Sequence, residues 1–251
     1  MKRFFSFVLA AVVVCGVADS ARADEAEVKA ILDKAVKALG GEAKLSKLEA
    51  FSTKSKGTIT FNGNDSQITT EATVAGLDRF RSEFEGEFGG NKIKGVLVLN
   101  GDKAWRKFGD NAMELDAGAI TNEKRTVYLQ VIPGTILPLR TKAFKVETAG
   151  EETVAGKPAV VLKVTGPEGK EFKLSFDKES GLPAKLQATV PGFQGAEFNQ
   201  ETIYGDFTDY NGIKRAKRVE SKRDGEPFAK LEVIEFKVIE KVDPGVFAKP
   251  E

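Results

Sequence analysis

The sequence predicts an α+β fold: a strongly curved antiparallel β-sheet, an incomplete barrel of about 11–12 strands, with an N-terminal helix and a mid-chain helical lid over its concave face. Three observations carry this. The apolar period changes from 3.6 to 2 soon after Phe51 and stays near 2 for most of the chain. Turn residues such as Asn62-Gly63, Asn100-Gly101, Asn211-Gly212 and Asp224-Gly225 punctuate it at strand-length intervals. Helical spacing returns only once, between Ala119 and Phe144.

The first 23 residues read as an export signal. Lys2 and Arg3 precede an apolar run, Phe4 to Val14, broken only by Ser6, and Ala21-Arg22-Ala23 is a small-x-small cleavage pattern. Cleavage is therefore expected between Ala23 and Asp24, leaving one domain over 24–251 in the periplasm or outside the cell. Cys15 raises lipid anchoring, but Val12-Val13-Val14 stands before it where a lipoprotein signal needs a small residue, so anchoring is disfavoured. The apolar run is too short to cross a bilayer.

Residues 25–39 place Val28, Ile31, Leu32, Ala35, Val36 and Leu39 on one helical stripe, stopped by Gly40-Gly41. Strands begin at "KGTITF", turn at Asn62 to Asp65, and return through Ile68, Ala72 and Val74. In "DRFRSEFEGEF", Phe80, Phe84 and Phe88 share one strand face with Ser82 and Gly86, while Arg79, Arg81, Glu83, Glu85 and Glu87 share the other. Gly86 inside, Gly89-Gly90 at the end and strands on both sides favour strand over helix. Further strands fall at 92–100, 103–108 and 111–115. A helix capped by Thr121 or Asn122 is expected next, with Val127, Tyr128, Val131 and Ile132 on its apolar side, interrupted by Pro133 and Pro138. Strands resume at 144–149, 158–166, 170–177, 184–191, 197–206, 213–223 and 227–240.

So long a meander must curl, because strand twist accumulates, and curling also hides its edges. The helices then bury their stripes in the hollow. An outer-membrane barrel is ruled out by Arg81, Glu83, Glu85, Lys214 and Arg218 on faces that would meet lipid.

The chain has no histidine, and its single cysteine lies in the signal. Histidine-dependent nucleophilic sites, ordinary zinc or haem ligation and disulfides are therefore not expected, nor is any cofactor or metal. Removing residues 1–23 takes Lys+Arg from 38 to 35 and Asp+Glu from 37 to 36, a net charge of −1, without the basic footprint of a nucleic-acid partner. The basic-rich run "GIKRAKRVESKR", Gly212 to Arg223, reads as a solvated strand face. Asp206 and Asp209 are the obvious carboxylates for a glycosidase-like site, but "GDFTDYNG" reads more simply as a turn, and the expectation is no enzyme.

Three segments resemble the LolA/LolB-like superfamily of periplasmic outer-membrane lipoprotein-sorting-like proteins, in an uncharacterised exported branch: "ALGGEAKLSKLEAF" with "KGTITF", "SFDKESGLPAKLQ", and "YGDFTDYNGIKRAKR" with "VDPGVFAKP". The order of elements covers nearly all of the chain after the signal, with Arg215-Ala216 where a proline usually follows Gly-Ile-Lys. The resemblance implies a half-barrel whose concave face binds lipid or lipoprotein acyl chains. On it, Phe80, Phe84, Phe88, Trp105, Phe172, Leu174 and Phe176 are candidates to line the hollow. Tyr128, Val131, Ile132, Ile136, Leu137 and Leu139 are candidates for its lid. The expected partners are a lipid or acylated lipoprotein, or membrane proteins and lipoproteins of the envelope, with the protein itself a monomer. The alternative is a non-catalytic structural or interaction module whose hollow is packed core.

Overall fold

The structure, a computed structural model, describes residues 17–61, 63–192 and 196–251, with side chains from residue 24 onward. Cys15 and the apolar run of the signal lie outside the described residues.

Helix α1, Val17–Leu39, packs Val28, Leu32, Ala35, Val36 and Leu39 into the core, the stripe set by their spacing. It runs without interruption through Ala23-Asp24. Gly40 and Gly41 both take positive φ, and a Cβ on Gly40 would stand 2.2 Å from the Gly212 carbonyl oxygen. The helix stop is thus also a close contact with a distant hairpin turn, which only glycine permits. A single turn, α2 (Glu42–Leu45), follows.

Thirteen strands then form one sheet. They are β1 Ala50–Phe61, β2 Asn64–Ala75, β3 Arg79–Phe88, β4 Asn91–Asn100, β5 Lys103–Phe108, β6 Asn111–Glu114, β7 Lys145–Val154, β8 Lys157–Thr165, β9 Glu171–Asp177, β10 Pro183–Pro191, β11 Glu197–Tyr210, β12 Ile213–Arg223 and β13 Glu226–Val238. Every pairing is antiparallel, and the order β6-β5-β4-β3-β2-β1-β13-β12-β11-β10-β9-β8-β7 leaves the sheet unclosed between β6 and β7. The expected curved, open antiparallel sheet is therefore what forms, with one strand more than anticipated.

The segment joining the two edge strands carries α3, Ala117–Thr135, and a 3-10 turn, Leu137–Arg140. One expectation about it is corrected. Asp116, not Thr121 or Asn122, caps the helix by accepting from the Ala119 N–H at 2.8 Å, so the cap lies at least five residues earlier than expected. The prolines fall where the regular helix gives out: α3 runs only two residues beyond Pro133, and the 3-10 turn that follows contains Pro138.

The main core lies between the concave face and the helices. Phe51, Val74, Phe80, Leu99, Leu162, Phe172, Leu174, Phe176 and Leu186 face α1 and α3. A smaller cluster on the other face joins Ala50, Ala75, Val98 and Trp105 to Phe247 of the C-terminal 3-10 turn, Pro244–Phe247. Edge strand β7 is blunted by Asp24, whose carboxylate accepts from the Thr148 N–H at 3.1 Å and from its hydroxyl at 2.6 Å.

Candidate functional site: the helix-covered hollow

Alternation along each strand decides what lines the hollow. Phe80 pairs with Leu99 and Leu99 with Ala104, and all three join the main core. Phe172, Leu174 and Phe176 on β9 do the same from the other side, none more than 2% exposed. Phe84 and Phe88 lie further along β3 and are only partly buried. Phe84 meets Phe108 edge-on at 6.1 Å, over Gly95, where a Cβ would stand 2.3 Å from its ring. Trp105 is the exception among the seven. It pairs with Val98, next to inward-facing Ala104, and so points to the opposite face beneath Phe247. Grouping it with the hollow is corrected by this register.

The candidate lid residues all fall on one continuous cover. Tyr128, Val131, Ile132, Ile136 and Leu139 are buried against the sheet and Leu137 is partly buried. The two halves of this cover are held differently. The N-terminal half of α3 is tied by charge: Glu123 to Arg106, Lys124 to Asp102 at 2.8 Å, and Arg125 to Glu168 at 2.8 Å. Arg125, 2% exposed, also donates to the Tyr128 hydroxyl at 2.9 Å and to the Glu171 carbonyl at 2.9 Å. The Tyr128 hydroxyl donates to Glu168, and burial with that carboxylate pushes its pKa well above the ordinary value. From Leu129 to Leu139, by contrast, no hydrogen bond links the segment to any other element among the described residues. Apolar burial alone seats it, worth about 1.5–3 kcal/mol for each full-sized side chain. Ile136 adds a weak point, because a β-branched residue at φ 61° is strained.

Beyond the lid, Arg140 straps the 3-10 turn to α1 and α2 through Asp33 and, at 2.8 Å, Glu42. Between this turn, α1 and β7 opens a groove of about 900 Å³, floored by Val28, Leu32, Val36, Leu139, Phe144 and Val146 and rimmed by charges.

Under the C-terminal end of α3 sits Arg215 of β12. Its guanidinium stacks on Phe51 at 4.8 Å and Phe236 at 4.9 Å. Gly134 of α3 lies so close that a Cβ would fall 1.9 Å from Nη1. Nη1 is buried and has no hydrogen-bond partner among the described residues. Burial pushes its pKa down to about 10, partly offset by the Tyr204 and Tyr210 phenols, so it stays cationic at neutral pH.

Reading Gly212 to Arg223 as a solvated face misses this. Arg215 has the parity of Ile213, which is buried in the core, and that alternation was the available signal. The Arg125–Glu168 tie and the groove carry no local sequence signature, since each depends on elements far apart in the chain. Asp206 and Asp209 behave as turn and surface groups. Asp206 pairs with Arg218 at 2.9 Å on the surface, and Asp209 accepts from the Gly212 N–H at 2.6 Å.

No protein-family model matches the sequence, and no curated protein matches it. Solved structures do match its fold. A LolA superfamily protein from Nitrosomonas europaea superposes with a TM-score of 0.57 at 13% identity, over 88% of this chain and 97% of that one. The fold is LolA-like. A DUF1329 family protein from Desulfovibrio piger gives a TM-score of 0.53 at 14% identity over 88% and 97% of the two chains. A domain from Vibrio parahaemolyticus named for outer membrane lipoprotein sorting gives 0.50 at 9% identity, over 86% and 97%. At these identities the likeness shows the LolA-like fold alone.

Proposed function

We propose that this is an exported, non-catalytic binding protein that takes an acyl chain, free or on a lipoprotein, into the hollow of its sheet. The observation that supports it most directly is the cover from Leu129 to Leu139. It buries a strongly apolar concave face yet is held there without a single polar bond to the sheet among the described residues. A segment seated only by apolar contact can be replaced by another apolar body of similar bulk, because such burial has no directional code. The lid would swing from the charge-tied N-terminal half of α3, with Ile136 absorbing the change, and the groove beside α1 would be the way in. Lipoprotein carriage, the fullest form of this reading, draws further support from the named role of the Vibrio parahaemolyticus domain.

One observation favours a second reading. Phe172, Leu174 and Phe176 are almost fully buried within the main core, which is also what a packed structural module would show. Incubating the delipidated exported protein with a fluorescent fatty acid separates the two. Saturable binding, or lipid in the native mass spectrum of the purified protein, is expected; neither one appearing would leave only the packed module.

A further inference from the structure

A buried cation is costly unless something balances it, so buried arginines are normally found with an acid or with carbonyl acceptors. Two other inward-facing arginines here follow that rule. Arg125 has Glu168 and backbone carbonyls. Arg223, stacked on Phe198 and Phe228, donates Nε to the Gln200 side-chain oxygen at 3.0 Å. Arg215 does not. What faces it is a set of aromatic rings, Phe51 from β1 and Phe236 from β13, the phenols of Tyr204 and Tyr210 from β11, and Gly134 from α3. It makes no salt bridge with any described carboxylate, and Nη1 has no acceptor.

The atoms covering Nη1 matter as much. Gly134 belongs to the stretch of α3 that has no polar bond to the sheet, and it presents no side chain to the guanidinium. When this end of the helix lifts, a polar donor fork is uncovered on an aromatic floor, within an otherwise apolar hollow. A planar guanidinium with free N–H groups matches two oxygens of a carboxylate or a phosphate, and such charge-assisted pairs are strong when water is excluded.

We propose that the hollow selects single-chain amphiphiles with an anionic head, and that Arg215 receives that head while the chain replaces the apolar side of α3. This rests on the reading that the hollow binds acyl chains. The seated helix and the anion then compete for the same guanidinium: the helix end covers it without a bond, and the anion supplies the missing partner.

The test is displacement of the neutral reporter N-phenyl-1-naphthylamine from the delipidated protein, exported from its full coding sequence, by palmitate, hexadecyl phosphate and hexadecanol. At least one of the anions should compete about 10–100-fold better than the alcohol, the range of a charge-assisted hydrogen bond. In Arg215→Met that ratio should fall to near one with hexadecanol affinity kept. In Arg215→Lys, which keeps the charge but loses the fork, it should be intermediate, and this second variant serves if the first does not fold. The better of palmitate and hexadecyl phosphate identifies the head. Equal competition by anion and alcohol in the wild type, or an undiminished ratio in the folded variants, overturns the role of Arg215 while leaving acyl binding standing. No reporter or amphiphile binding at all overturns both.

Discussion

Ile132→Ala separates a lid from a core. Ile132 is fully buried in α3, inside the stretch seated by apolar contact alone. Truncating a buried isoleucine to alanine costs about 2–5 kcal/mol, part lost transfer energy and part residual cavity. If α3 is only core, that loss appears in global stability and nowhere else. If its C-terminal half is a lid that must lift before an acyl chain enters, the loss falls on the closed state and raises the open population. Each 1.4 kcal/mol of it then tightens apparent binding about tenfold, because the binding-competent fraction rises by that factor. Phe247→Ala is the matched control. It removes a side chain only 1% exposed from the cluster on the opposite face, at about 3–5 kcal/mol, and should leave ligand affinity unchanged. Both variants are measured by urea unfolding and by fluorescent fatty-acid titration, in conditions where each is fully folded. Loss of stability in Ile132→Ala with unchanged or weaker ligand binding would refute the lid.

Three further outcomes follow from the same geometry. Trp105 is the only tryptophan and lies under the C-terminal turn, so Phe247→Ala should red-shift its emission, whereas ligand entering the hollow should leave it unmoved. Burial pushes the Glu152 carboxyl up, but its ion pair with Lys185 and the hydrogen bond from Ser175 outweigh that and hold it below 4.5. Its contribution to stability is therefore present above pH 4.5 and is lost as pH falls through the depressed value, so Glu152→Gln should flatten the acid limb of a stability-versus-pH curve below 4.5 and lower the plateau above it. Gly134→Ala would put a Cβ 1.9 Å from Arg215 Nη1, so it should destabilise the protein by about 1–3 kcal/mol, and Arg215→Met should relieve much of that in a double-mutant cycle.

The strand pattern was legible because one face of each strand is buried and one is not. Arg79–Phe88 alternates so strictly that a single residue of slippage would put Phe80 into solvent and Arg81 beside Leu99. The half-barrel is legible for the same reason, repeated strand by strand. Which part of the concave face is covered was not legible. Phe80 and Phe84 have the same parity and the same residue type, yet one is core and the other partly open, because coverage depends on how far α1 and α3 extend over the sheet. Trp105 misled for a related reason. The largest apolar residue of its strand suggests the inside, but the C-terminal turn makes a second inside on the other face. Arg215 was hidden by its neighbours: a run of basic residues reads as solvated, although two stacked phenylalanines make the interior tolerable for one of them.

The open edge explains why a cover exists at all. Had β6 paired with β7, the barrel would be closed and its inside filled by its own side chains. Instead the two edges are joined by the segment that contains α3 and the 3-10 turn, so the chain that spans the seam also fills the hollow. One end of that segment is tied by the Arg125–Glu168 pair and the other by Arg140 to Asp33 and Glu42, with the apolar stretch and Ile136 between them. A span anchored at both ends and seated in the middle by apolar contact can bow outward without breaking a strand pair. Breaking the Arg140 strap should therefore ease opening as Ile132→Ala does, with a smaller loss of global stability, because its partners Asp33 and Glu42 are exposed to solvent and such pairs contribute about 0–1 kcal/mol.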